Sequence, residues 1–301
     1  MELSEVRKNI DRVDGEIRRL FMERMSLADQ VACIKAKTED VIYKPDREEA
    51  IIRKQTEGMD TRLVREYTAL IKRIMEVSRK YQYGRTMELR DCFPFSYEKK
   101  ADTAGKLCMV KEELYLCMDR SKDDVLLADT YEEMGEMVRS GRADAGMGII
   151  EEVGVGVSDA MHQLLLDKGL YINGCRVQTE RSGAVMEKDG SGRQHPVRRK
   201  VITFSRQLVV LPEHNRIRIM FECPNHSGSL SSILSMISDY GVNLTEIHSR
   251  PFEEGDTWNY RFFAELSANM DTKEIRALLY QLSQETQELR ILGSYRCEGD
   301  F

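Results

Sequence analysis

Arg24 stands where an apolar residue is due. Val6, Ile10, Val13, Ile17 and Leu20, then Leu27, Val31 and Ile34, recur at the three-and-four spacing of a long amphipathic helix, and position 24 is the next place on that stripe. Lys35 follows eleven residues later, which at about 100° per residue points it within roughly 20° of Arg24. Two cations therefore share one inward face, and an inward guanidinium is a two-pronged donor suited to a carboxylate. Arg7, seventeen residues before Arg24, points roughly 100° away by the same count and does not easily serve that pocket from the same helix. Further along come Arg47-Glu48, and then Ser78 and Gln82 on one helical face at i,i+4. Singly, each has an ordinary explanation. An arginine on an apolar stripe also snorkels or pairs, and Arg47-Glu48 also suits a solvated helix start.

The elements that hold these residues follow from the same periodicity. The first helix ends in the polar stretch after Lys37, and "YKPDREEAIIRKQ" starts a second, with Asp46 as N-cap and Glu49 closing a capping box. "VREYTALIKRIMEVSRKYQ" is a third, after the break at Gly58 and Asp60. Three helices, one over thirty residues long, need a second copy to bury their stripes. From Arg216 the period changes: "RIRIMFEC", "SGSLSSILSMISDY", "VNLTEIHSR", "WNYRFFAEL", "TKEIRALLYQLSQ" and "LRILGSYR" run strand, helix, strand, strand, helix, strand, the ferredoxin-like order. Between them, "DDVLLADTYEEMGEMVRSGRADAGMGIIEE" is strand, helix, strand, and "SDAMHQLLLDKGLYING" is helix and strand. Gly154 and Gly156 form a turn, since a lone G-x-G lacks the further signals of a phosphate loop. The polar run Thr179 to Lys200 reads as a loop or linker.

Composition narrows the function classes. With 301 residues there is room for two or three domains, and 32% charged with 41% hydrophobic residues marks ordinary soluble material. A net charge of -6 argues against nucleic acid as the main partner. No stretch has the length and apolarity of a signal peptide or a membrane span, so the expected location is the cytoplasm and no membrane partner is expected. Seven scattered cysteines without C-x-x-C spacing read as reduced thiols, and none of the five histidines pairs at i,i+4. No metal site and no cofactor are expected.

Jointly, the polar residues of the first helices resemble those of the all-helical chorismate mutases, in the form fused to prephenate dehydratase. The resemblance covers residues 1 to about 83 and rests on Arg7 in "EVRKNID", Asp14, Arg24, Lys35, Arg47-Glu48 in "KPDRE", and Ser78 with Gln82 in "EVSRKYQ". Lys44 departs from it, where many members have an acidic residue before the proline. The resemblance implies conversion of chorismate to prephenate, a pericyclic step that needs positioning and electrostatics rather than a nucleophile, metal or proton shuttle. It assigns Arg7, reaching in from a partner subunit, and Arg24, assisted by Ser78, to the two substrate carboxylates. Lys35 and Gln82 would face the breaking ether oxygen, Glu48 would accept the ring hydroxyl, and Arg47 would orient both. A homodimer or higher homo-oligomer is implied.

The last segment resembles the ACT regulatory domain of prephenate dehydratases, through "PNHSGSLSSIL" and "IHSRPF". By that resemblance the effector is phenylalanine, and its site comprises Asn225, Gly228, Ser229, Leu230, His248, Ser249, Arg250 and Pro251. His248 stands where the family has an acidic residue. The middle resembles a dehydratase but is short, and its motifs are eroded: no Gly-Pro-x-Gly signature occurs, Glu151-Glu152-Val153 replaces Glu-Asn-Ser, and Ser205-Arg206-Gln207 replaces Thr-Arg-Phe. The expected architecture is thus multidomain: an all-α mutase domain at 1–88, a truncated α/β dehydratase-like segment at 91–200 with a polar linker at 179–200, and an α+β ferredoxin-like ACT domain at 203–301. The expected function is a chorismate mutase with an amino-acid sensor and its dehydratase activity lost. The alternatives are a bifunctional mutase and dehydratase, and a non-catalytic phenylalanine-binding regulator.

Overall fold

The computed structural model describes residues 2–100, 105–116, 125–179, 186–188, 194–223, 225, 227–254 and 257–298. Cys117, Pro224 and His226, and positions 180–185 and 189–193 of the polar run, lie outside the described residues. Contacts divide the chain into a helical unit, Met1–Pro94 with Arg276–Glu285, and a larger unit, Phe95–Ile275 with Thr286–Phe301.

Three helices make up most of the first unit: α1 (Leu3–Thr38), α2 (Pro45–Thr56) and α3 (Val64–Leu89). The second starts two residues earlier than the capping-box expectation. Lys44 is the cap residue, Pro45 opens the helix, and Asp46 lies inside the first turn with no side-chain cap. A proline suits that first position because its φ is already helical and its missing N–H would have been unpaired. Asp46 still complements the positive end of the helix dipole. Helix α3 runs alongside α1 in the same direction, with Arg24 meeting Ser78, and Asp29 meeting Tyr81 and Arg85.

The face of α1 buried within the unit is not the large apolar stripe. Ala28 and Ala32 are its buried residues, and their small side chains let α3 approach with Ile71, Met75 and Ser78. Ile10, Val13, Ile17, Leu20, Leu27, Val31 and Ile34 remain 41% to 61% exposed. The last turns of α7 (Lys273–Glu285) complete this unit, where Tyr280 meets Tyr83 edge-on at 5.5 Å in a cluster with Ile42.

The larger unit is built on one mixed sheet. Its first part contains β1 (Leu107–Val110), β2 (Val125–Ala128), α4 (Tyr131–Arg139), β3 (Ala145–Glu152), the short β4 (Gly156–Val157), α5 (Asp159–Lys168) and β5 (Tyr171–Thr179). Thr130 and Ser158 cap α4 and α5 by accepting from the amides of Glu133 and Met161. Gly154 and Gly156, both at positive φ, turn the chain between β3 and β4, as expected of that stretch. A small pair, β6 (Met186–Lys188) with β7 (Gln194–Pro196), precedes β8 (Arg198–Ser205). The polar run is therefore not all linker: Thr179 closes β5, and Arg198–Lys200 opens β8, which pairs with both β3 and β5. The strand was hidden because Lys200 is buried by its ion pairs rather than by apolarity.

The remainder is β9 (Arg216–Cys223), α6 (Ser229–Asp239), β10 (Asn243–Glu254), β11 (Thr257–Ser267), the start of α7, β12 (Glu288–Tyr295) and β13 (Cys297–Glu298). The order β10-β11-β9-β12 is that of a ferredoxin-like domain, and it continues through β5-β8-β3-β1-β2. Met134, Val138, Met161, Leu165, Ile150 and Phe204 form the main core under α4 and α5. Among the described residues no helix is long and apolar enough to cross a membrane.

The two halves of the sheet join at β5, which pairs with β12 and with β13, and the β12 contact is a close approach. Gly293 of β12 pairs with Ile172 of β5, and a Cβ at 293 would lie 2.3 Å from the Ile172 carbonyl oxygen. Backbone cannot yield as a side chain can. Gly293→Ala is expected to destabilise the protein by about 1–3 kcal/mol, read as a lower urea midpoint at unchanged slope.

Candidate active site and a buried ionic network

In the helical unit, five of the seven polar residues picked out in the sequence lie within hydrogen-bond or electrostatic range of one another across α1, α2 and α3. Arg24, half-buried, donates through Nη1 to Ser78 Oγ and to the Ile74 carbonyl at 3.3 Å. Ser78 in turn donates to that same carbonyl at 2.8 Å, the back-bond of a buried helical serine. One turn on, Gln82 Nε2 lies 3.2 Å from the Ser78 carbonyl, so its amide edges the same face. Lys35 bends over the α1–α2 connection and donates to the carbonyls of Val41 and Ile42 at 2.6 and 2.9 Å. Burial lowers the pKa of both Arg24 and Lys35, and the nearby Glu48 carboxylate opposes the fall in each case. Glu48, on the first turn of α2, is thus an anion within electrostatic range of both cations.

Arg47 is exposed, within electrostatic range of Lys35. Arg7 is exposed too, and seventeen residues of helix put it about 26 Å along α1 from Arg24. The structure does not bring Arg7 into the cluster of its own chain. It adds one residue that the spacing did not single out: Arg79, buried beside Ser78, donates through Nη1 to Glu48 Oε1 at 2.5 Å. Cations, an amide, a hydroxyl and a carboxylate in a partly desolvated seam can hold and orient a small anion with several oxygens.

The larger unit has a second concentration of charge. Arg218, fully buried on β9, donates to Glu246 Oε1 at 2.9 Å and to Glu265 Oε2 at 3.3 Å. Lys200 reaches the same two carboxylates at 3.3 and 3.2 Å and lies 3.7 Å from Glu151. Burial and the neighbouring Glu246 raise the pKa of Glu151. Next to it, Glu152 pairs with Arg199. Arg206 donates to the carbonyls of Val138 and Ala143 at 2.7 and 3.3 Å, closing the end of α4. Ser205 Oγ accepts from Asn173 at 2.7 Å. Glu151, Glu152, Ser205 and Arg206, at the eroded dehydratase motifs, therefore each have an internal partner.

The residues expected to bind an effector lie in two places. Gly228 has φ 92° and precedes α6, Ser229 is its first residue, Leu230 is half-buried, and Asn225 is exposed. On β10, His248 stacks on Phe263 at 5.0 Å and meets the His162 ring at 4.9 Å, and Arg250 pairs with Asp159 of α5. Arg250 and Pro251 border a cleft of about 440 Å³ between α5 and β10–β11, while Ser249 is exposed.

With the geometry in place, the family comparisons are direct. Residues 6–83 match the family profile Chorismate mutase type II, and residues 217–284 match that of the ACT domain, so the chain carries both domains around a prephenate-dehydratase-like middle region. One relative, the bifunctional chorismate mutase/prephenate dehydratase of Aquifex aeolicus, is 25% identical over 98% of each chain. Their alignment spans 357 positions against 301 residues here, so that relative has segments this chain lacks. The prephenate dehydratase of Amycolatopsis methanolica is 30% identical over 34% of each chain. A solved structure described as GqqA, a novel type of quorum quenching acylase, has a TM-score of 0.51 and 22% identity over 64% of this chain and 95% of its own. That last likeness is one of fold.

Stability should report on the network around Arg218. His162 Nδ1 lies 2.9 Å from the Ser158 carbonyl and Nε2 lies 2.9 Å from Arg218 Nη1, so the neutral ring donates to the first and accepts from the second. Burial, then the Arg218 charge, pushes its pKa down to about 3 from 6.5. Below pH 6.5 the unfolded chain gains a proton that the folded one refuses, so stability present above that pH is lost as the pH falls towards 3. His162→Asn should flatten the slope of unfolding free energy in the upper part of that window, measured by urea titration at a series of pH values.

Proposed function

We propose that this chain is a cytoplasmic chorismate mutase, converting chorismate to prephenate under the control of an amino acid bound at the ACT domain. The observation that carries this is the joining of Arg24, Lys35, Glu48, Ser78 and Gln82 in one seam inside the segment that matches the type II mutases. Arg24 and Ser78 hold a substrate carboxylate. Lys35 and Gln82 turn to the ether oxygen as negative charge develops on it, which stabilises the transition state more than the ground state. Glu48 accepts the ring hydroxyl, and Arg47 orients substrate and Glu48.

A second copy completes the site. The exposed stripe from Ile10 to Ile34 is a long apolar face on the same helix as Arg7, and the partner's α1 laid along it would carry its own Arg7 to the first chain's pocket. Phenylalanine is the effector, its carboxylate taken at the Gly228–Leu230 turn by the positive end of α6, with the β10 residues His248 to Pro251 contributing. The free cysteines, including Cys175 and Cys297 with sulfurs 3.5 Å apart, fit a reducing compartment.

The dehydratase activity is lost. Supporting this, Glu151, Glu152 and Arg206 are committed to Lys200, Arg199 and the end of α4. A retained dehydratase is favoured by one fact, the full-length match to the bifunctional Aquifex aeolicus relative.

Arg24→Ala should lower chorismate consumption by about 10²- to 10³-fold with the helical circular dichroism intact; an unchanged rate refutes the assignment. Mixing Arg7→Ala with Arg24→Ala protein should restore roughly a quarter of the wild-type rate, because half of the re-formed dimers are mixed and each of those has one intact site. A mixture as inactive as its parts would show that Arg7 does not act across a dimer.

A further inference from the structure

Arg79 has no role in the chemistry assigned above, yet it is among the most deeply held charges of the helical unit. Its side chain is 10% exposed, and its guanidinium is gripped from three sides. Nη1 donates to Glu48 Oε1, Nε donates to both Glu285 oxygens at 3.1 and 3.3 Å, and the Tyr43 ring lies 4.7 Å from its central carbon. Glu285 is the last residue of α7, its side chain 5% exposed, and it also accepts from Gln281 at 3.1 Å. It stands one residue beyond the segment that matches the ACT domain, on the helix that ends that segment.

We propose that Arg79 is a positioning residue for Glu48 and that Glu285 fixes Arg79, so that the end of the ACT domain's last helix sets the geometry of the mutase site. This rests on the mutase function proposed above and goes one step beyond it. Each link has a physical reason. A buried guanidinium needs its charge balanced, and here two carboxylates share it. Holding Glu48 through Oε1 leaves Oε2 as the acceptor for substrate and removes the rotational freedom of an exposed glutamate. Burial raises the pKa of Glu285, and the Arg79 charge, with hydrogen bonds from Arg79 and Gln281, opposes that rise. Removing Glu285 leaves Arg79 with one partner fewer and Glu48 held by a looser donor. A displacement of α7 would have the same effect, which gives the C-terminal domain a route to the mutase chemistry through two ion pairs.

The test is steady-state turnover of chorismate by the full chain and its variants, with thermal melts as the measure of folding. Arg79→Ala is expected to lower kcat/KM by about 10- to 100-fold, through both a higher KM and a lower kcat, and Arg79→Lys to recover part of the loss. Glu285→Gln, which keeps the shape and loses the charge, is expected to lower kcat/KM several-fold at a near-normal melting temperature. In a Glu48→Gln background the Arg79→Ala change should cost little more, because it acts through Glu48. Well-folded Glu285→Gln and Arg79→Lys proteins with wild-type kinetics would overturn the proposal, as would full additivity of Arg79→Ala with Glu48→Gln. A loss of kcat in step with lost folded protein, at unchanged KM, would reduce Arg79 to a structural residue. A wild-type chain that does not turn over chorismate would remove the mutase assignment and this proposal together, whereas an active wild type with indifferent Arg79 and Glu285 removes the proposal alone.

Discussion

A buried guanidinium costs several kcal/mol unless its donors and its charge are taken up, and both units of this protein are arranged around that constraint. In the helical unit Arg24 turns into the α1–α3 seam and is met by Ser78 and a backbone carbonyl, while Arg79 is met by Glu48 and Glu285. In the larger unit Arg218 sits at the centre of the sheet with Glu246, Glu265 and His162 around it. The two networks differ in the charge of their partners. The Arg218 network is closed on itself by carboxylates, so it can hold strands β9, β10 and β11 in place but has nothing left for a ligand. Around Arg24 the hydrogen-bond partners are neutral and the nearby carboxylate is Glu48, so its charge is less fully matched than that of Arg218.

The helical unit was legible in the sequence because its chemistry is local. Arg24 and Lys35 are on one helix at a spacing that fixes their relative direction, and Ser78 with Gln82 are one turn apart. Periodicity gave the helices and the six elements of the ferredoxin-like domain in their observed order. What it could not give were contacts between distant segments. Arg79 is one residue from Ser78 and so points about 100° away from it, and its partner Glu285 is 206 positions later. Nor does an apolar stripe say what covers it: within one chain, α3 packs against Ala28 and Ala32, and the larger side chains of α1 stay exposed. The start of β8 was missed for a related reason. Its charged first residues read as loop, and only the carboxylates of β3, β10 and β11 explain why Lys200 is inside. Asp46 showed a smaller ambiguity, since a proline at the first helical position displaced the cap by two residues.

In the middle region, several side chains at the motif positions are tied into the scaffold: Glu152 with Arg199 along β3 and β8, Arg206 against the end of α4, Ser205 with Asn173. Each of these contacts stabilises the sheet that carries the ferredoxin-like strands. The turn at Gly154 and Gly156 belongs to the same scaffold, a hairpin between β3 and β4 that hands the chain to α5. Under this account the central sheet now serves to join a working mutase to its sensor.

The most direct measurement is to incubate the purified chain with chorismate and follow every product by NMR, with and without phenylalanine. The account predicts that prephenate forms at a rate proportional to protein, that it accumulates without conversion to phenylpyruvate, and that phenylalanine changes the rate. Conversion of prephenate to phenylpyruvate by the protein would contradict the lost dehydratase, and failure to form prephenate at all would contradict the account at its centre.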